Sequence, residues 1–183
     1  MADTRVVDTN VLIVASAADE SSLFDENATP VQEKQYREKV LEWLHAFEKD
    51  VERRVVLDWD WHICTEYRKK LTEQDYGWLV MMHKQDHGQV EWVGFEVDDN
   101  GHALLPDGLS TAISDLEDRK MVAAVLAAKA DKHGCKLVNA CDTDWLDCEA
   151  ALDKAQVHTE HLIEHEWLRP RWTSKKARKR RHE

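Results

Sequence analysis

The sequence has little cysteine and no long apolar run, and each absence excludes a class of protein. Its four cysteines form no C-x-x-C pair and follow no regular spacing in 183 residues, so we expect reduced thiols and no disulfide framework. The apolar stretch at 11–18 is short and follows Asp3, Asp8 and Asn10, which predicts neither a signal peptide nor a membrane span. We therefore expect a cytoplasmic protein that does not bind a membrane.

Several short signatures of catalysis are also missing. The sequence has no glycine-rich phosphate loop, no G-x-S-x-G nucleophile elbow and no Cys/His pair set apart by its surroundings. The Asp-x-Asp-x-Thr pattern that phosphatases commonly carry after the first strand is absent too. Phosphatase chemistry on a small phosphorylated substrate is therefore the weakest functional hypothesis for this chain.

The charge of the chain is divided unevenly. The net charge is −11, yet positions 169–183 hold eight Lys or Arg against one acid, which leaves −18 for the remainder. We therefore predict one globular domain at 1–168 and a disordered basic tail at 169–183. The cations predicted to attract nucleic acid without regard to sequence are Lys175, Lys176, Arg178, Lys179, Arg180 and Arg181. Two alternatives stay open, because the tail could also fold onto the acidic domain or bind an acidic partner protein.

Short β-branched runs that lead into an acid recur along the sequence. The runs are Val6-Val7-Asp8, Arg54-Val55-Val56-Leu57-Asp58, and Leu137-Val138 with Asp142 shortly after it. Residues of this kind in short buried runs predict strands. Each strand would therefore present an acidic side chain at or just beyond its carboxyl end.

Helical segments separate these strands. Apolar residues at helical spacing predict a helix at 30–52, and a capping box at 114–117 predicts another that ends near Gly134. A third strand is expected at 89–97, unless 90–105 forms a hairpin. The alternation of strands and helices predicts an α/β fold, with a parallel sheet covered by helices on both faces.

Four acidic side chains lie where such a fold would bring them together. Parallel strands end at one edge of the sheet, where ligands bind, so we expect Asp8 and Asp142 to be neighbours. Asp118 would enter from the core-facing side of the preceding helix, and Glu66 flanks the apolar face of the helix after the second strand. Each also has a simpler explanation, for example Asp8 as a helix cap, Asp118 as a partner of the helix dipole and Glu66 as a solvated side chain.

Carboxylates gathered at one edge predict a metal site. They repel one another, and their pKa values rise unless a cation lies among them. Oxygen ligands suit Mg²⁺ or Mn²⁺, and such an ion polarises a phosphate and lowers the pKa of a bound water, which predicts phosphodiester hydrolysis. A rival metal site would comprise His158, His161 and His165, which a helix would align, although no cysteine nearby completes a structural zinc set.

Four segments, in order, resemble a PIN domain, the metal-dependent nuclease fold of many toxin components of toxin-antitoxin pairs and of RNA-processing enzymes. The resemblance covers residues 4–165. The segments are Val6-Val7-Asp8-Thr9-Asn10, Ile63-Cys64-Thr65-Glu66-Tyr67-Arg68, Asp118-Arg119-Lys120 with the Ala-rich run to Ala130, and Leu137-Val138 followed by Asp142-Thr143-Asp144-Trp145. The resemblance implies a three-layer sandwich with a central, mainly parallel five-stranded sheet.

The resemblance also implies a site and an activity. The side chains that would form the catalytic, metal-binding cluster are Asp8, Glu66, Asp118 and Asp142. Asp144 is an optional fifth metal ligand. Because Asn139-Ala140-Cys141-Asp142 stands where the family has Thr-x-Asp, both Asp142 and Asp144 are candidates for the principal ligand. Asn10 would orient the Asp8 carboxylate or contact the substrate. The implied reaction is cleavage of single-stranded or structured RNA by a metal-activated water, which leaves a 5′-phosphate and a 3′-hydroxyl.

Two functional hypotheses of different kinds remain. The first is a Mg²⁺- or Mn²⁺-dependent endoribonuclease, with DNA as the alternative substrate, that acts as a toxin or defence effector under an inhibitor or activator protein. The second is a PIN-like scaffold that has lost catalysis and binds nucleic acid or protein, although retention of all four carboxylates speaks against it. Either could act as a homodimer, since PIN-like proteins often dimerise.

Overall fold

The computed structural model describes residues 3–130 and 134–181, which fold around one β-sheet. Its strands are β1 (Asp3–Val7), β2 (Arg53–Asp58), β3 (Val90–Val93), β4 (Gly134–Asn139) and β5 (His158–His161). The helices are α1 (Thr9–Ala18), α2 (Lys34–Lys49), α3 (His62–Lys70), α4 (Tyr76–Asp86), α5 (Asp107–Ala112), α6 (Arg119–Ala130), α7 (Asp144–Asp147), α8 (Glu149–Lys154) and α9 (Arg169–Arg180).

The sheet is flanked by helices, as predicted. The strand order is β3-β2-β1-β4-β5, and each of these pairings is parallel. Helices α1, α2 and α4 pack against one another, whereas α6 packs across β1 to β4. The prediction of an α/β three-layer sandwich with a five-stranded central sheet is confirmed. Within the described ranges, no helix is long and apolar enough to cross a membrane.

The three central strands are buried on both faces, which explains their β-branched composition. Their fully buried apolar side chains are Val6, Val7, Val55, Val56, Leu57, Leu137 and Val138. The polar residues that follow these strands lie beyond the apolar core, at the carboxyl edge of the sheet.

The strand order reverses between β1 and β4. The chain places β2 and β3 on one side of β1 and then returns to place β4 and β5 on the other. Such a switch point leaves a crevice at the carboxyl ends of the two central strands, where ligands bind in open α/β sheets. The register pairs Val7 with Val138, so the next residues, Asp8 and Asn139, stand side by side at this crevice.

The helix of the third acidic segment begins later than predicted. The prediction that Ser114 and Glu117 form a capping box is wrong, because α6 begins only after Asp118. Asp115 Oδ1 instead accepts the Glu117 N–H at 2.9 Å, and the Glu117 carboxylate accepts a hydrogen bond from Lys120. These local bonds hold the segment in a turn. Asp118 therefore lies immediately before the helix and not within it.

Other boundaries also differ from the sequence prediction. β3 ends at Val93, and an antiparallel bridge joins Val97 to Ala103. The segment is therefore neither one long strand nor a complete hairpin. The predicted helix end near Gly134 lies outside the described residues, because α6 is described to Ala130, residues 131–133 are not described and Gly134 is already in β4.

The basic tail is helical, so the prediction of disorder is wrong for 169–180. Pro170 suits the first turn of α9, where its missing N–H costs no helical hydrogen bond. Trp167 and Leu168, immediately before the helix, are 8% and 0% exposed. The helix therefore starts from a segment anchored in the core, which composition alone does not reveal.

The acidic domain supplies partners for α9. Lys175 Nζ lies 2.6 Å from Asp144 Oδ1, and Lys176 Nζ lies 2.7 Å from Asp147 Oδ1. Trp172 Nε1 also donates to Asp147 Oδ1 at 2.7 Å. The structure therefore shows α9 folded onto the acidic domain, which is one of the alternatives left open for the tail.

The three histidines of the rival metal site do not share a helix, so that prediction is wrong. His158 and His161 lie on β5, and His165 lies in a π-helical turn at 164–168. Asn139 Nδ2 donates to His161 Nδ1 at 3.0 Å, and burial lowers the pKa of this imidazole. Spacings of three and four residues did not distinguish a helix from a strand followed by a turn.

All four cysteines are buried free thiols. Burial raises the pKa of the Cys64 and Cys141 thiols to about 12. Thiols of this kind are largely protonated at neutral pH and are poor nucleophiles.

Candidate active site

Asp8 lies directly after β1 and is 7% exposed. Its Oδ1 accepts the Asn10 N–H at 3.1 Å, which caps α1, and its Oδ2 accepts the Trp145 Nε1–H at 2.6 Å. Burial, followed by the charge of Asp142, raises the pKa of Asp8 to about 7, although the hydrogen bonds from Trp145 and Asn10 favour its ionised form. The same carboxylate can therefore serve as helix cap and as site acid.

Replacement of Trp145 by Phe tests this environment. The variant loses the donor to Asp8 Oδ2, so the pKa of Asp8 rises further. A carboxyl with a raised pKa destabilises the fold increasingly as pH rises through that pKa. The free energy of unfolding should therefore fall about 1–2 kcal/mol more near pH 8.5 than near pH 5.5, measured with urea.

The pH comparison separates this effect from packing. Loss of indole volume costs the same at both pH values, and only the interaction with an ionised Asp8 depends on pH. Trp172→Phe removes an indole–carboxylate bond at a more exposed position and should show almost no pH-dependent difference. A loss of equal size at both pH values for Trp145→Phe would contradict the assigned interaction.

Asn10 joins the two central strand ends. Its Oδ1 accepts the N–H groups of Ala140 at 2.8 Å and Cys141 at 3.2 Å, and its Nδ2 donates to Asn139 Oδ1 at 3.0 Å. The backbone N–H of Asn10, and not its side chain, contacts Asp8. The side chain thus positions the loop after β4.

Asp142 is held by this loop. Asn139 is fully buried, and its side chain accepts the Asp142 N–H and donates to the Asp142 carbonyl, both at 3.0 Å. Asp142 Oδ1 accepts the Asp144 N–H at 2.8 Å. Burial raises the pKa of Asp142, whereas this hydrogen bond and the charge of Lys175 lower it. The Asn139 amide therefore fixes the loop that carries Asp142.

Asp118 is the most strongly perturbed acid of the predicted set. Burial raises its pKa to about 8, followed by the negative charges of Asp8 and Asp142 and then of Asp115 and Asp144. The acids whose charges contribute to this shift must lie within electrostatic reach of Asp118. The structure therefore brings Asp118 into the same acidic environment as Asp8 and Asp142.

Glu66 lies beside two lysines. Its side chain is 17% exposed, and its Oε2 lies 3.2 Å from Lys69 Nζ and 3.5 Å from Lys120 Nζ. Its negative charge also contributes to the raised pKa of Asp8. Glu66 is therefore near the cluster but already has cationic partners, of which Lys120 is only 6% exposed.

Asp144 and Asp142 differ in exposure and in partner. The Asp144 side chain is 52% exposed and pairs with Lys175, which also donates to Thr143 Oγ1 at 3.1 Å. Asp144 lines a cavity of about 240 Å³ together with Asp118, Asp115 and Lys175. Asp142 is the more enclosed acid, and Asp144 lies at the outer wall.

The side chains of this site fit a hard cation in their chemistry and charge. Their donors are carboxylate oxygens, the preferred ligands of Mg²⁺ and Mn²⁺. The raised pKa values of Asp8 and Asp118 reflect burial first and the negative charge of neighbouring acids second, and a cation would offset that charge. As arranged, however, no three His, Cys, Asp or Glu side chains among residues 3–130 and 134–181 lie close enough together to hold a metal ion.

Sequence reasoning missed three residues of this environment. Asn139 could have been inferred, because it ends a strand that pairs with β1 and stands opposite Asp8. Trp145 was part of a family-like segment, but nothing in its spacing indicated a bond to Asp8. Lys120 was also part of a family-like segment, but nothing indicated its contact with Glu66, since a lysine in the first turn of a helix is ordinarily solvated.

Comparisons with known proteins do not assign this site. No family model matches the chain, and no curated protein or solved structure matches it. The PIN resemblance therefore stays a prediction that rests on the four segments.

Proposed function

We propose that the chain is a metal-dependent endoribonuclease of PIN type that hydrolyses RNA phosphodiester bonds. The observation that carries this proposal is the electrostatic coupling of Asp8, Asp118 and Asp142 near the switch point of the sheet. Burial raises the pKa of both Asp8 and Asp118, and the charge of Asp142 raises both further. Mutually repelling carboxylates at a ligand-binding edge weaken the fold, so their presence indicates a functional role.

The proposed cofactor is Mg²⁺ or Mn²⁺. Asp8, Asp118 and Asp142 would hold the ion, together with Glu66 or Asp144. When bound, it would polarise the phosphodiester and lower the pKa of a water molecule.

The chain itself fixes the acids before substrate arrives. Trp145 and the Asn10 N–H hold the Asp8 carboxylate, and Asn10 with Asn139 holds the loop of Asp142. Such preorganisation reduces the reorganisation that a reaction requires. We extend the proposal to single-stranded or structured RNA as substrate, with DNA as the alternative, and to a toxin or defence role under a partner inhibitor or activator.

A scaffold without catalysis is the second candidate, and a specific observation favours it. Lys120 pairs with Glu66, and Lys175 pairs with Asp144. Ammonium groups could thus balance part of the acidic charge permanently. Under this alternative, the carboxylates would stabilise a binding surface and no divalent cation would be required.

Cleavage of a labelled single-stranded RNA distinguishes the two candidates. The purified chain is incubated with Mn²⁺, with Mg²⁺ or with EDTA, beside Asp8→Asn and the exposed-site control Asp99→Asn. We expect metal-dependent cutting that leaves a 5′-phosphate, a loss of at least about 100-fold in Asp8→Asn and no change in Asp99→Asn. Full metal-dependent cleavage by a folded Asp8→Asn protein would refute the site, and absence of cleavage by the wild type would favour the scaffold.

A further inference from the structure

A second cavity adjoins the acidic site beneath α9. It has a volume of about 340 Å³, within the range of small-ligand sites. Its apolar floor consists of the buried Cys141 and Trp167, the exposed Pro30 also lines it, and its cationic rim consists of Arg171, Lys175 and Arg178.

The rim presents cations along one face of a helix. Arg171, Lys175 and Arg178 are spaced by four and three residues, which places them on the same side of α9. Lys175 donates to Asp144 and Thr143. Among the residues that the structure describes, neither Arg171 nor Arg178 pairs with a carboxylate, although the domain carries an excess of acids. Two guanidinium groups at the cavity are therefore available to an anion.

The floor is suited to a flat, partly apolar group. Trp167 and Cys141 are 8% and 9% exposed, so each presents a small apolar surface to the cavity. The Arg171 guanidinium lies 5.8 Å from the centre of the Trp167 ring. A bare inorganic anion would leave this floor uncovered, whereas a base or ribose would cover it.

The cavity shares a wall with the acidic site. Lys175 lines both this cavity and the smaller one that contains Asp118 and Asp144. Thr143, which also lines the larger cavity, lies between Asp142 and Asp144 in the sequence. A phosphate at the rim would therefore lie beside the carboxylates, with the Lys175 ammonium group between them.

We propose that this cavity is a nucleotide subsite. The chemistry that fits it is a nucleoside monophosphate, with its base or ribose on the floor and its phosphate at the three rim cations. Its place beside the acidic site identifies the ligand as one nucleotide of the RNA strand, adjacent to the bond that is cut. The assignment to the RNA strand rests on the proposed function, whereas the assignment of a nucleoside monophosphate to the cavity does not.

Nucleotide binding is measured on the full chain in EDTA, by calorimetry. The probes are uridine 5′-monophosphate, uridine and orthophosphate. We expect the monophosphate to bind with a dissociation constant on the order of 1 mM or tighter, and the other two at least about tenfold more weakly. Equal binding of uridine, equal binding of orthophosphate or no binding of the monophosphate would overturn the proposal.

A matched pair of charge reversals tests the location. Arg178→Glu should weaken monophosphate binding at least about tenfold. Lys154→Glu makes the same change in net charge on α8, outside the cavity, and should leave the affinity within about twofold. An equal loss of monophosphate affinity in the two variants would show only a general effect of charge and would overturn the assignment of binding to this cavity.

A short oligouridylate separates a strand from a free nucleotide. It should bind more tightly than the monophosphate and lose affinity in Arg178→Glu to a similar degree. Binding of the monophosphate without the oligomer would overturn the strand assignment. Arg178-dependent binding in a protein that cuts no RNA would refute the nuclease and retain the subsite.

Discussion

Replacement of Asp118 by Asn should stabilise the protein, by about 1–3 kcal/mol near pH 8 in EDTA. Burial and neighbouring acids raise the pKa of Asp118 to about 8. Near neutral pH, the folded chain must therefore either bind a proton at Asp118 or hold an ionised carboxylate that the neighbouring acids repel. Asn has nearly the same shape and no charge. The expected gain in the free energy of unfolding is smaller than the full pKa shift would give, because Asp118 is partly exposed and solvent screens its charge.

The sign of the pH dependence follows from the direction of this shift. Asp118 has a higher pKa in the folded chain than in the unfolded chain. Its favourable contribution is complete below about pH 4 and is lost as pH rises through about 8. The advantage of the Asn variant should therefore grow across that interval. Urea unfolding at several pH values measures it, with Asp99→Asn as an exposed control. An Asn variant less stable than the wild type at pH 8 would contradict the assigned electrostatics.

Saturating Mg²⁺ or Mn²⁺ should stabilise the wild type near pH 8 by about 2–3 kcal/mol, the value expected when the free ion is about 100 times its dissociation constant. Under the proposed function, the ion would draw the carboxylates of Asp8, Asp118 and Asp142 together in the folded chain and offset their repulsion. The stability of the wild type should then depend less on pH. For a chain of this size, the melting temperature should rise by roughly 4–12 °C.

Two controls separate binding from screening. NaCl at matched ionic strength corrects for general screening of surface charge. Asp118→Asn should show only a small part of the divalent effect, because it lacks one ligand and much of the repulsion. A wild type that responds no more to Mg²⁺ or Mn²⁺ than to NaCl would contradict a divalent site, as would an equal response of the Asn variant.

The sheet was predictable because its central strands obey a simple physical rule. Strands buried on both faces need short apolar runs rich in β-branched residues, and these occur in the sequence before Asp8, at 55–57 and at 137–138. Parallel strand ends meet at one edge, so the proximity of Asp8 and Asp142 follows from the fold class. The electrostatic effect of Asp142 on Asp8 is consistent with that placement.

The start of α6 was not predictable from its cap pattern, because local side-chain bonds compete with helix formation. Ser114 and Glu117 have the spacing of a capping box. However, the Asp115 carboxylate accepts the Glu117 N–H, and the Glu117 carboxylate accepts a hydrogen bond from Lys120. The pattern of residue types was present, but another set of partners was used.

The order of the tail depended on partners distant in sequence. Its composition is typical of a solvated, disordered segment, and the residues that anchor it are in the domain. Asp144 and Asp147 accept contacts from Lys175 and Lys176, and Trp172 bonds to Asp147. Sequence reasoning had identified this arrangement only as an alternative, because it could not locate those acids relative to the tail.

Calorimetric titration of Mn²⁺ tests the central claim most directly, namely that the acids at the ends of β1 and β4 form a divalent-cation site. The comparison uses the wild type, Asp142→Asn and Asp144→Asn. Because Asp142 is the enclosed acid and Asp144 is exposed and paired with Lys175, Asp142→Asn should lose at least about 100-fold in affinity and Asp144→Asn less than about tenfold. Unchanged binding in a folded Asp142→Asn protein, or no binding by the wild type, would contradict the proposed metal site.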